Sequence, residues 1–120
     1  MSVGIVGGSV SPSTALTLNA QTGTTYTFVL TDANNTLVTA SNASAQTYTI
    51  PPNSSVAYPI GSQINIIQIG AGQVSFAQGS GVTIASSGAT STAPKCRVQY
   101  SAATAIKVNT DSWYVVGDIA

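Results

Sequence analysis

The chain has 120 residues, of which 5% are charged, and its three basic and three acidic side chains cancel to a net charge of zero. With no His and only Asp32, Asp111 and Asp118 as acids, acid–base catalysis has almost nothing to work with, whereas an ordinary soluble domain is about 25% charged. No basic patch argues for nucleic acid or an anionic membrane as partner, and no run approaches the ~20 apolar residues of a membrane span.

The pattern along the chain is short β segments punctuated by turns, with no helical periodicity. Residues 1–15 are rich in Gly and Ser, with Val3, Ile5, Val6 and Val10 spread among them. They read as an extended arm, the alternative being a disordered tail. They also lack the positive start and long apolar run of a secretory signal, so synthesis in the host cytoplasm is expected.

A single module is expected over 16–120. Tyr26, Phe28 and Leu30 alternate with Thr27, Val29 and Thr31, which fits a strand with one buried face. Asp32 to Asn35 forms a turn, because Asn tolerates left-handed backbone and Asp bonds its own main chain. Leu37 to Ala40 is expected to return as the partner strand. Tyr48 and Ile50 lie on a further strand that stops at Pro51-Pro52, since proline has no N–H for a sheet.

A polar loop from Pro52 to Ser62 leads into Gln63–Ile69, where Ile64, Ile66, Ile67 and Ile69 give the strongest buried-strand signal. The glycine turns at Gly70–Gly72 and Gly79–Gly81 flank a strand carrying Val74 and Phe76 and precede Val82–Ile84. Two tight turns this close predict a compact antiparallel meander. After a Ser/Ala/Thr/Gly loop at 85–93, Lys95–Ser101 and Thr104–Val108 are the next strands, with Val98, Tyr100, Ile106 and Val108 as core candidates. The last strand, Ser112–Gly117, places Trp113 and Val115 on one face and Tyr114 and Val116 on the other. Apolar side chains on both faces imply a central strand or one packed against another subunit. The fold class expected is all-β, a compact antiparallel sandwich or jelly-roll-like barrel.

Candidate chemistry is sparse. Cys96 stands alone, so it has no intrachain partner and reads as a buried structural thiol. A nucleophilic triad would lack its base. One Cys and three scattered Asp do not make a zinc or calcium site, and the glycine turns lack the Lys and following helix of a phosphate loop. No enzyme activity and no cofactor are therefore expected. Thr25-Tyr26-Thr27 and Thr47-Tyr48-Thr49 could belong to a flat threonine array of the ice-binding kind, but such a solenoid should show a fixed repeat period. Without one, alternating strand faces account for these threonines. The Tyr residues and Trp113 could stack on sugars, although large core residues are the simpler reading.

The central block resembles a known module. Asn42-Ala43-Ser44, Pro51 to Ser55, Tyr58-Pro59-Ile60-Gly61-Ser62-Gln63-Ile64, Ile67 to Val74 and Gly81 to Ile84 are similar to a small β module of tailed-bacteriophage virion proteins. Tyr100-Ser101 and Trp113 to Asp118 extend the similarity, which covers roughly residues 19–120. That module occurs in tail-fibre and particle-surface proteins, so the resemblance implies a structural role in a virion. A chain starting at Met1 and holding little besides the module favours a capsid cement or decoration protein on the capsid surface. The expected partners are further copies in a homotrimer and the major capsid protein. Val3, Ile5 and Val6 are the expected shell contacts, and Trp113 and Tyr114 the expected core or intersubunit packing residues. The alternative is a tail-fibre or head-fibre knob that binds a receptor or carbohydrate.

Overall fold

A computed structural model describes residues 15–120. The arm through residue 14, and with it Val3, Ile5 and Val6, lies outside the described residues. The strands are β1 (Thr17–Gln21), β2 (Thr25–Thr27), β3 (Thr36–Ala40), β4 (Gln46–Ile50), β5 (Gln63–Gln68), β6 (Val74–Gln78), β7 (Thr83–Ser86), β8 (Ala102–Asn109) and β9 (Ser112–Gly117), with one 3-10 turn at Leu30–Ala33. The all-β expectation holds for these residues.

Strand pairing departs from expectation. A six-stranded sheet runs β1-β3-β5-β8-β9-β7, and a three-stranded sheet runs β2-β4-β6. The chain thus crosses from one sheet to the other at each of its first turns and returns beside the strand two elements back. β1 with β3, β3 with β5, β2 with β4, and β4 with β6 are all parallel, as is β7 with β9. Stacked coils replace the predicted antiparallel meander and jelly-roll-like barrel. Leu37–Ala40 does not form a hairpin with the preceding strand; β3 sits between β1 and β5.

The glycine turns explain the difference. A tight glycine turn can fold a strand back on itself or arch it into the facing sheet, and local sequence does not distinguish the two. At Gly72 a Cβ would lie 1.8 Å from the Ser44 carbonyl oxygen. Gly72 N–H donates to the Asn42 carbonyl at 2.8 Å. This glycine lets one arch rest on the backbone of the arch below it.

The coils have unequal lengths, which hid them from a search for periodicity. Thr36 stacks 19 residues after Thr17, Thr47 stacks 22 after Thr25, and both Asn65 on Leu37 and Val74 on Gln46 stack at 28. The ladder needs strands in register, and the arches absorb the variation in length.

The C-terminal strands close the stack. β8 is antiparallel to β5, and β9 is antiparallel to β8 across the Asn109–Asp111 turn. Of the strand expected at Lys95–Ser101, only the bridges Ser75 to Lys95 and Cys96 to Ile119 form. They cover the outer edge of β6.

The core lies between the sheets. Phe28, Tyr48, Phe76, Val38, Ile64, Ile66, Ile84, Trp113 and Val115 are buried in one cluster. Tyr26, Tyr48 and Phe76 are stacked in register on adjacent strands, and Phe28 packs within 6.2 Å of Phe76 and 5.8 Å of Tyr48, centroid to centroid. Several core expectations require correction. Leu30 enters the 3-10 turn and is exposed, as are Val98, Tyr100 and Val108, while Ile106 is half-buried on the outer face. β8 instead turns Ala103, Ala105 and Lys107 inward. Ala103 and Ala105 stand opposite Ile66 and Ile64 of β5, whose branched side chains already fill the space between the sheets.

Candidate interaction surface

The six charged side chains are all engaged or peripheral. Asp32 is 1% exposed. Its carboxylate accepts from Asn19 Nδ2 at 2.8 Å, from the Tyr26 hydroxyl at 2.8 Å and from the Val29 N–H at 2.9 Å. These contacts make a polar plug at the first coil, where Asn19 occupies an inward position that Val38 and Ile66 occupy in the coils above it. The plug serves as a cap, because a coil stack must end on a face that tolerates water.

Lys107 is buried and donates to Asn53 Oδ1 and to the Tyr58 carbonyl, both at 2.7 Å. Asp111 accepts the Asn53 N–H at 2.8 Å. Arg97 and Asp118 form an exposed ion pair at 2.7 Å, which draws the Asp118 carboxyl below its ordinary value, helped by the Ser101 hydroxyl at 2.6 Å. Lys95 sits beside β6.

No charged side chain stands within a strand on the outer face of the six-stranded sheet, and the exposed Arg97–Asp118 pair borders it, with the Asp118 N–H donating to the Ala102 carbonyl at 3.0 Å. Strand alternation puts Leu18, Leu37, Asn65, Thr104 and Val116 in one row across five strands. A second row is Ala20, Thr39, Ile67 and Ala102, and a third is Gln63, Ile106, Tyr114 and Ala85. The polar members are partly paired already, since Thr104 Oγ1 donates to Asn65 Oδ1 at 2.7 Å. Six strands about 4.8 Å apart and about 17 Å long give a footprint near 450 Å² in projection, which Thr39, Gln63, Asn65 and Thr104 share with the apolar side chains. A shallow groove of about 330 Å³ opens at one side of this face, lined by Thr83, Ala85, Val108, Asn109, Ser112 and Tyr114 among others.

Trp113 and Tyr114 illustrate the two faces. Trp113 is 2% exposed and meets Tyr58 edge-on at 5.3 Å, whereas Tyr114 is 53% exposed on the outer face. Trp113 is therefore a core residue. Val116 was expected on the face opposite Trp113, Ile67 was expected in a buried run and is half-buried on the outer face, and Leu18 escaped the sequence reading; the signal that could have found it is the lack of charge at alternate strand positions.

The facing sheet has a different outer surface. Thr25 stacks on Thr47 and Thr27 on Thr49, so the threonines do form a ladder although no fixed period announces it. Ser75 and Ala77 continue it on β6, which limits the array to four threonines on two strands. The exposed aromatics do not gather: Tyr100 precedes the start of β8, and Tyr114 pairs with Ile106 farther along it.

Cys96 is buried as expected, and desolvation lifts its thiol to about 11. Among the described residues, no three of His, Cys, Asp and Glu gather as metal ligands, and no helix is long and apolar enough to cross a membrane. No protein-family model matches the chain, and no curated protein matches its sequence.

Proposed function

We propose that this chain is a structural module of a bacteriophage virion, acting as a capsid cement or decoration protein. The observation that carries the reading is the uncharged outer face of the six-stranded sheet, a surface suited to coverage by another protein. The placement of the charged groups supports it: Asp32 and Lys107 hold the fold from within, and Arg97 is occupied by Asp118. The motif resemblance over Pro51–Ile84 supplies the phage setting.

In this reading the compact two-sheet body is a homotrimer subunit, and the arm at 1–15 lies along the shell, with Val3, Ile5 and Val6 touching the major capsid protein. Each contact is modest, and linkage through a trimer multiplies them by avidity. The work is done by buried area, offset by association and ordering costs. A receptor-binding or carbohydrate-binding fibre knob would call for exposed aromatics lining one groove, and the separation of Tyr100 and Tyr114 weighs against it.

The test is quantitative mass analysis of purified virions, combined with binding of isolated protein to empty shells. Tens to hundreds of copies per particle and saturable shell binding are expected. A handful of copies with no shell binding would assign the protein to a fibre.

A further inference from the structure

We propose that Lys107 and Asn53 become joined by an intramolecular isopeptide bond between Lys107 Nζ and Asn53 Cγ, with loss of ammonia. Such a bond goes beyond the assembly reading and does not depend on it. The hydrogen-bonded pair described above is its unreacted state.

Three features of the pair lead to this chemistry. The first is contact. Lys107 Nζ lies 2.7 Å from Asn53 Oδ1. A carbonyl bond of about 1.2 Å then puts Cγ within about 3.9 Å of the nitrogen, close to the separation of about 3–3.5 Å at which fixed groups react. Nζ is also held by the Tyr58 carbonyl at 2.7 Å, and the Asn53 main chain is anchored by its N–H to the Asp111 carboxylate at 2.8 Å. Both reactants are thus secured by a second contact.

The second is the surroundings. Lys107 is 2% exposed and stands opposite Trp113, which is equally buried and meets Tyr58 edge-on at 5.3 Å. The amine is shut away from bulk water, which would compete for the amide carbon by hydrolysis. An amine and a primary amide free in solution react very slowly, and fixing them in contact supplies an effective concentration of about 10⁵ M or more. Asn53 itself is half-buried, so the leaving group has a way out.

The third is charge. Both acceptors of the buried Lys107 are neutral, and the ion pair found among the described residues is Arg97 with Asp118. A buried ammonium without a counter-charge is costly. Turning it into a neutral amide removes that cost.

The step balances without a co-reactant. The lone pair of the deprotonated amine forms the Nζ–Cγ bond, and the Cγ–Nδ2 bond breaks with its electron pair going to Nδ2. Lys107 gives up two protons in all and Nδ2 takes up two, so the nitrogen departs as ammonium. Nothing is oxidised or reduced. The product ties the Pro51–Ser62 loop to β8 across 54 residues of chain. Its restraint on the unfolded chain adds to what the hydrogen bonds of the unreacted pair supply.

The test is the intact mass of the purified full chain, which is expected to fall short of the sequence mass by one ammonia. Trypsin cuts after Lys and Arg but not after an acylated lysine. Digestion of the denatured chain should therefore leave residues 98–120 in one piece, joined to residues 1–95, and fragmentation should place the branch at Asn53. Lys107→Met and Asn53→Ala are each expected to show their full sequence mass, with circular dichroism checking the fold. The wild-type mass and the branched fragment decide the matter should either variant fail to fold. A wild-type chain of full sequence mass after prolonged incubation, cut after Lys107 into 98–107 and 108–120, would overturn the proposal. Ammonia lost while Lys107 is still cut would place the loss in a succinimide at an asparagine, and overturns it as well.

Discussion

Lys107 donates to Asn53 Oδ1 at 2.7 Å from a side chain that is only 2% exposed. It binds the Tyr58 carbonyl as well, and the Lys107 main chain exchanges bonds with Ser62 and Gly61 at 2.9 and 2.8 Å. One side chain thereby fastens the Pro51–Ser62 loop to β8. Tyr58 continues the fastening by donating to the Val29 carbonyl at 2.7 Å. Lys107→Met keeps the aliphatic stem but leaves the Asn53 and Tyr58 acceptors without their donor. A loss of about 1–3 kcal/mol is expected in urea unfolding, with faster amide exchange at Gly61. An unchanged midpoint would mean that the loop is held without the ammonium.

Gly72 tests the stacked coils directly. In a meander its replacement by Ala would be a mild change at a turn. Here the new methyl meets the Ser44 carbonyl of the coil below. Gly72→Ala is expected to cost about 3 kcal/mol or more, at the top of the range for overpacking. Gly61→Asn, at a left-handed position with open space around it, should cost much less. Thermal unfolding of the two variants checks the contrast.

Trp113 and Tyr114 are adjacent in sequence and opposite in environment. Trp113→Ala removes a buried indole and is expected to cost about 3–5 kcal/mol. Tyr114→Ala should change the stability of the dilute monomer by about 0.5 kcal/mol or less, as exposed substitutions do. Urea titration at low protein concentration separates the two.

The pH dependence should be flat and then steep. With no His in the chain, no side chain of ordinary value titrates between the acids and the thiol. Burial pushes Tyr26 and Tyr48 up to about 12, and Tyr58 is also raised. A raised folded value means that the fold prefers the neutral phenol. That stability is fully present below the unfolded value near 10 and is lost as pH rises through about 12. Asp118 is lowered, so its contribution is present above the ordinary carboxylate range and fades as pH falls through its folded value. This effect is small because the Arg97 pair is exposed. Unfolding free energies measured from pH 5 to 12 are expected to be level to about pH 8, to begin falling as the Cys96 thiol ionises in the unfolded chain first, and to decline more steeply above about pH 10 as the buried tyrosines follow. Cys96 should resist thiol reagents at pH 8 until the chain unfolds, in keeping with its burial and its value near 11.

The sequence by itself determined the local features of this protein. Alternation marked β4, β5 and β9, proline stopped β4 at Ile50, and Asn35 takes the left-handed backbone its type allows. Scarcity of charge foretold a face poor in charge, because six charged side chains cannot cover a 120-residue surface. Which strands pair was decided only in three dimensions. A glycine turn is compatible with a hairpin or an arch, and the choice is made by the backbone of the neighbouring coil, tens of residues away. The same holds for β8, where Ile106 and Val108 look like core until Ile64 and Ile66 of β5 occupy the interior and leave room only for alanine. Lys107 was equally hidden, since a lysine goes inside only when distant acceptors such as Asn53 and the Tyr58 carbonyl are brought to it.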